Sequence, residues 1–275
     1  YEKTAFAGGP LVEEFEKAFA QYTQTQYCVG VSNGTTALHL AMLALGIQAG
    51  DEVIVPANTF IATAWGVSHC GATPVFVDCD ETWQIAPLKI EAAIIERTKA
   101  VIGVHLYGQP FDIDAVKAIC HKHKIYLVED AAQAQGARYK GKPVGGFGEL
   151  ATFSFYPGKN LGACGEAGGL TTNNPNYDTH LRSLRNHGCT VRYYHDEIGY
   201  NYRMGGLEGA SLKVKLNYLE SWNNRRRAIA ARYREEIQNS RIRMQIHNEF
   251  ADGIYHLFVV TVEDKESFVA HLDAH

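Results

Sequence analysis

The strongest constraint on the fold is an alternation. Short runs rich in apolar and β-branched residues, Glu52-Val53-Ile54-Val55, Pro74-Val75-Phe76-Val77, Ala100 to Val104, Ile125 to Val128 and Ala151 to Phe155, are separated by stretches with helical patterning. Strands that are apolar at nearly every position, rather than at every second one, are covered on both faces, and the intervening helices supply the cover. The pattern predicts an α/β fold on a mostly parallel sheet. Thr35 to Leu45 is apolar on almost every side and is closed by Gly46, which predicts a buried helix with a left-handed stop. Asp112 to Lys124 predicts a surface crossover helix. In such sheets ligands gather at the carboxyl ends of the strands, where helix N-termini turn free N–H groups outward.

After about Gly206 the composition changes. Leu207 through Gln238 reads as one long, charge-laced helix carrying Leu212, Val214, Leu216, Leu219 and Trp222, and Tyr255 to Thr261 reads as a strand beyond it. The expected division is a large α/β domain, residues 1–206, followed by a connecting long helix and part of a smaller C-terminal domain, residues 207–275. The chain opens on Tyr1 rather than Met and stops at His275 within a helical pattern, so both ends are expected to belong to a longer protein.

A chain of 275 residues with 46% hydrophobic content can bury a large core, and a formal net charge of -4 without a broad basic field argues against nucleic acid as a partner. The compact basic run Arg225-Arg226-Arg227 is expected to be a solvated helix face. Six cysteines scattered without a CxxC pair suit reduced thiols in a cytoplasm. No signal-peptide pattern opens the chain and no apolar stretch approaches membrane length, so a soluble, cytoplasmic protein with no membrane partner is expected.

The chemistry concentrates on two residues. Asp130 ends an apolar strand-like run, and Lys159 lies in the loop Tyr156-Pro157-Gly158-Lys159-Asn160. Pyridoxal phosphate needs an amine that condenses with its aldehyde, a carboxylate that keeps its ring nitrogen protonated and a donor-rich cradle for its phosphate. Lys159 suits the first role and the later proton transfers, and Asp130 suits the second. Asn33-Gly34-Thr35-Thr36, a turn leading into the apolar helix, suits the third, with Gly34 and Thr35 as the contacts and Ser154 adding a hydroxyl. Each has a plainer reading: a solvated lysine for Lys159, a helix cap for Asp130 and for Asn33 to Thr36, a strand serine for Ser154. The histidines, including His105, His121 and His123, show no metal-ligand spacing, and there is no G-x-G-x-x-G or Walker A sequence. No metal is expected.

The runs Val128-Glu129-Asp130-Ala131-Ala132-Gln133-Ala134 and Phe153-Ser154-Phe155…Lys159-Asn160 resemble the DegT/DnrJ/StrS family of sugar-nucleotide aminotransferases. The likeness extends from Asn33-Gly34-Thr35-Thr36-Ala37-Leu38 through Pro56-Ala57-Asn58-Thr59-Phe60 to Gly199-Tyr200-Asn201-Tyr202-Arg203-Met204. It implies a fold-type I pyridoxal-phosphate enzyme that moves an amino group from L-glutamate to a nucleotide-linked keto-sugar, making an amino sugar for a surface glycan such as lipopolysaccharide or for a glycosylated metabolite. Under it Phe60 stacks on the cofactor ring, although a core phenylalanine is the plainer reading. Gln133 reaches the ring hydroxyl and points to 3-keto rather than 4-keto sugars. Asn201 reaches the cofactor phosphate of a neighbouring subunit, which implies a homodimer with shared sites. Arg185-Asn186-His187-Gly188 resembles a loop close to the active site, with Asn186 or His187 serving substrate or local structure rather than catalysis. Two alternatives share the scaffold: a nucleotide-sugar dehydratase, whose members replace the lysine by histidine, and a non-catalytic pyridoxal-phosphate-binding regulator.

Overall fold

The computed structural model describes residues 6–191 and 193–275. Its centre is a seven-stranded sheet of β1 (Tyr27–Val31), β2 (Glu52–Pro56), β3 (Thr73–Val77), β4 (Thr98–Val104), β5 (Tyr126–Asp130), β6 (Leu150–Ser154) and β7 (Gly168–Thr172). The spatial order is β1-β7-β6-β5-β4-β2-β3. Neighbours are parallel except for the two pairs made by β7, which runs against both β6 and β1. Each of the five strands predicted for this sheet is present. Successive residues enter opposite cores: Ile54 and Val101 lie on one side with Phe15, Phe19, Phe153 and Phe155, while Val53, Val55, Ala100 and Ile102 lie on the other with Leu38, Leu40 and Met42. Double-sided burial is what the continuous apolar runs require.

Helices α1 (Pro10–Thr23), α2 (Gly34–Ala44), α3 (Ala62–Ser68), α4 (Pro87–Ala93), α5 (Ile113–His123) and α6 (Pro175–Leu184) cover the sheet. Leu45 caps α2 ahead of Gly46 at φ 76°, and α5 runs from an Asp112 side-chain cap to a left-handed Lys124, both as the sequence predicts. Strand β7 was not anticipated. Its glycines weaken any strand signal, but a Cβ at Gly168 would lie 2.3 Å from the Asn33 carbonyl carbon, so glycine is what lets the first turn of α2 rest on the sheet.

The helix expected from Leu207 to Gln238 is two: α7 (Gly206–Leu216) and α8 (Leu219–Glu236), broken at Asn217-Tyr218. The break lets α7 pack on α1 while α8 turns its buried Asn223 toward the Gln135 carbonyl. Leu212, Leu219 and Ile254 belong to the same core as Phe15 and Phe155, so the segment after Gly206 is packed into the sheet's own hydrophobic interior. The expected strand Tyr255–Thr261 is also corrected. Only Val260–Thr261 forms a ladder, with Arg243–Met244, while the Ile254 and His256 amides donate to Gly108 and Tyr107. A further helix, α9 (Lys265–Asp273), follows. The basic run is not uniformly solvated: Arg225 is exposed, but Arg226 donates to the Tyr255 and His256 carbonyls and Arg227 to the Gly253 carbonyl, tying α8 to this segment. No helix among the described residues is long and apolar enough to cross a membrane.

Candidate active site

A cavity of about 750 Å³ opens where β4, β5 and β6 end beside the N-terminus of α2. It brings together Gly34, Thr35, Phe60, Asp130, Gln133, Ser154 and Lys159, seven residues chosen from positions spread over more than 120 in the sequence.

Asp130 is the last residue of β5 and is 4% exposed. Its Oδ2 accepts from the Thr63 hydroxyl at 2.7 Å and its Oδ1 from the Ala132 amide at 3.1 Å. Burial pushes its carboxyl above the usual carboxylate range, against the pull of those two donors and of the Lys159 charge. The segment after it is a pair of turns, not a helix, so Asp130 caps nothing and Gln133 reaches the cavity from a turn. Lys159 is half-buried, and burial lowers its pKa against the pull of Asp130. Both groups are displaced toward their neutral forms, which is the state in which an amine is nucleophilic.

Asn33 caps α2: its Oδ1 accepts from the Thr36 amide at 2.8 Å, and Thr36 Oγ1 accepts from the Asn33 amide at 3.2 Å. Asn33 and Thr36 are therefore occupied by the cap, while Gly34 and Thr35, which also line the cavity, supply the first amides of the helix. A Cβ on Gly34 would lie 2.8 Å from the Ser154 Cβ, so this glycine serves the close approach of α2 to the end of β6. That contact sets Ser154 beside the helix N-terminus, so a hydroxyl and the first amides of α2 come from two neighbouring elements.

Gln133 is oriented unambiguously. Its Oε1 accepts from the Tyr107 amide at 2.6 Å, so its NH₂ is the group left for a ligand. The same contact holds Tyr107 in a left-handed conformation at φ 60°. Phe60 is 67% exposed on the cavity rim, too open for a core residue and placed to cover a planar ligand. Asn201, Asn186 and His187 lie elsewhere. Asn186 and Asn201 form a backbone bridge, both accept from Arg203, and the His187 amide donates to the Tyr200 carbonyl. Asn186 and Arg203 line a separate cavity of about 480 Å³.

A model of the DegT/DnrJ/EryC1/StrS aminotransferase family matches residues 2–275. The chain belongs to this family. It is 45% identical over 268 residues to a dTDP-3-amino-3,4,6-trideoxy-alpha-D-glucose transaminase of Streptomyces venezuelae, covering 97% of this chain and 71% of that one. Among solved structures it is similar to S. venezuelae DesV, with a TM-score of 0.97 at 44% identity over 99% of this chain and 74% of the other. It is also similar to NtdA of Bacillus subtilis with bound cofactor PMP, with a TM-score of 0.91 at 34% identity over 99% and 63%. The mostly parallel sheet with helices on both faces is the fold-type I architecture of these aminotransferases.

Sequence reasoning missed several residues of this family member's cavity. Thr63, on α3, is 1% exposed, and since its hydroxyl proton goes to Asp130 it accepts from Thr59 Oγ1 at 2.9 Å. His256 and Glu166 also line the wall. Beneath the floor, Glu129 is wholly buried and accepts from the Gly145, Phe147 and Gly148 amides and pairs with His105 Nε2 at 3.1 Å. Burial alone would raise its carboxyl, but the His105 and backbone donors outweigh this and hold it below the usual range. His105 in turn donates its backbone N–H to the Asp130 carbonyl at 3.0 Å, fixing the strand end that carries the site. A lone histidine or threonine gives no sequence signal of such contacts.

Proposed function

We propose that this protein is a pyridoxal-phosphate-dependent aminotransferase that moves an amino group from L-glutamate to a nucleotide-linked 3-keto sugar. The observation that carries the reading is the meeting of Lys159 and Asp130 in one cavity whose far wall is the N-terminus of α2. The donor set fits the cofactor. Lys159 would supply the attaching amine, Asp130 would accept from the protonated ring nitrogen, Gly34 and Thr35 with Ser154 would hold the phosphate, the Gln133 NH₂ would donate to the ring hydroxyl, and Phe60 would cover the ring face. Bound there, pyridoxal phosphate supplies an electron sink conjugated to the carbon that gains or loses the amine.

The chain's own part is then electrostatic and protonic. A cationic ring nitrogen would draw the Asp130 proton equilibrium back toward the carboxylate that burial disfavours, so binding and ionisation reinforce each other. Lys159, lowered by burial, could alternate between amine and ammonium at its Nζ and so take up or release a proton beside the bound group. The 3-keto assignment is supported by the position of the amine in the name of the S. venezuelae relative and by what the family resemblance implies for a glutamine at position 133. The same reading assigns the product to surface glycans such as lipopolysaccharide or to glycosylated metabolites, places the enzyme in the cytoplasm, divides it at Gly206, and makes it a homodimer in which Asn201, away from its own chain's cavity, serves the partner's phosphate.

The test is borohydride treatment of protein loaded with pyridoxal phosphate, followed by peptide mass spectrometry. The cofactor mass should appear on Lys159, and glutamate added beforehand should prevent the label while releasing 2-oxoglutarate. A label elsewhere, or no 2-oxoglutarate, refutes the assignment.

A further inference from the structure

Behind the cavity runs a chain of buried amides that no motif predicts. Gln135 Nε2 donates to the Ala132 carbonyl at 3.1 Å and to the Ser154 carbonyl at 2.5 Å, and the Gln135 carbonyl accepts from Asn223 Nδ2 at 2.9 Å. Asn223 Oδ1 accepts from Asn160 Nδ2 at 2.9 Å, and the same Nδ2 donates to the Ile254 carbonyl at 3.2 Å. With its nitrogen committed to two acceptors, Asn160 can turn only its oxygen toward His256 Nδ1, which lies 3.2 Å away. An amide oxygen accepts and cannot donate. Nδ1 of His256 therefore carries the proton, and Nε2 is left as a lone pair.

His256 is held at its backbone as well. Its N–H donates to the Tyr107 carbonyl at 2.9 Å, and Tyr107 is the residue clamped by Gln133. Imidazole and lysine both line the cavity, and Asn160, the residue that fixes the imidazole, is the chain neighbour of Lys159. Burial, with the nearby charges of Lys159 and Arg226, lowers the His256 pKa to about 4, so a neutral ring is the form present near neutrality.

We propose that His256 is a positioning residue for Lys159, its Nε2 being the acceptor that the lysine amine, not hydrogen-bonded to it in this structure, takes as it turns into the cavity. This rests on the reading of Lys159 as the attaching residue. A second positive charge there would repel the lysine; a neutral ring with the opposite tautomer would offer it a donor in place of an acceptor. The relay through Asn223 and Gln135 makes the orientation depend on the same turn and strand end that carry Asp130 and Ser154.

The test measures how fast protein freed of cofactor attaches pyridoxal phosphate at Lys159, by borohydride quenching and mass spectrometry. His256→Phe should slow attachment about fivefold, the size of one lost neutral hydrogen bond, and His256→Gln, whose side-chain oxygen can stand where Nε2 stands, should recover most of the rate. In a Lys159→Ala background, which cannot attach, His256→Phe should leave the equilibrium affinity for pyridoxal phosphate within about twofold, since removing the partner removes the coupling. An equal loss in both backgrounds would overturn the proposal, because the imidazole would then act on the cofactor or on the fold. Unchanged attachment in the Phe variant overturns it too. A separate reading uses the unmodified protein: ¹⁵N shifts of the His256 ring near pH 6 should show a neutral ring protonated at Nδ1, and a charged ring or the other tautomer refutes it whether or not any variant folds. Failure of wild-type labelling at Lys159 would instead remove the parent assignment and leave the ring's tautomer standing.

Discussion

Thr63→Val removes one oxygen from the site and nothing else of size. The Thr63 hydroxyl donates to Asp130 Oδ2 at 2.7 Å and is 1% exposed, so water cannot replace it, and the carboxylate would keep only the Ala132 amide at 3.1 Å. A hydrogen bond to a charged group is worth about 1.5–3 kcal/mol when its loss leaves the partner buried. Asp130 is already pushed toward its neutral form by burial, and losing this donor pushes it further. The loss falls on the ionised carboxylate that the proposed contact with the cofactor's ring nitrogen requires. At about 1.4 kcal/mol per factor of ten, the expected cost is roughly 10- to 150-fold, shared between cofactor affinity and turnover. Affinity is read by titrating cofactor-free protein with pyridoxal phosphate and following absorbance. Turnover is read as 2-oxoglutarate formed from glutamate. Thr63→Ser, which keeps the hydroxyl, should stay near wild type. If Val and Ser variants both lie within twofold of wild type, the hydroxyl does not sustain the Asp130 charge and the electrostatic account of the site is wrong.

Lys159→Arg should bind the cofactor without borohydride-stable attachment and lose nearly all turnover, as an always-charged guanidinium cannot condense with an aldehyde; residual labelling by mass spectrometry would contradict this. Gly34→Ala places a methyl 2.8 Å from the Ser154 Cβ and 3.3 Å from its backbone, so it should cost about 1–3 kcal/mol in a urea melt and loosen cofactor binding together. An unchanged melt would show that α2 can slide off β6. Glu129→Gln sets an NH₂ against donors at Gly145, Phe147, Gly148 and His105, and removing a buried charge from its partners should lower stability by about 3–5 kcal/mol; a loss under about 1 kcal/mol by the same melt would refute it. Acid sensitivity follows from His247 and His256, each lowered from 6.5 to about 4 by burial. The unfolded chain takes up those protons first, so stability present above about pH 6.5 falls as pH drops toward 4. A double His247→Asn, His256→Asn variant should show a flatter melting temperature between pH 7 and pH 5, and an equal slope would assign the acid loss to other groups.

The parts of the site legible in the sequence are those whose chemistry resides in a residue type placed by local pattern. Asp130 could be found because an apolar strand ends on it, Gly34 and Thr35 because they open a helix, and Ser154 and Lys159 because they flank the next strand's end. Thr63 could not be found, since its partner is 67 residues away and its own helix shows only a small polar residue among apolar ones. The orientation of Gln133 was equally hidden: it is decided by the amide of Tyr107, 26 residues earlier, in a turn whose positive φ no propensity announces.

The same division explains the fold. Strands of Val, Ile and Phe declare themselves, whereas β7 is written Gly-Gly-Leu-Thr-Thr because Gly168 must let the Asn33 carbonyl pass and Gly169 must lie beside Phe155. The residues that erase the strand signal are those that allow α2 to descend onto the sheet and set its first amides beside Ser154. What propensity loses at Gly168, the proposed phosphate cradle gains, so the illegible strand and the candidate anion site have one physical cause.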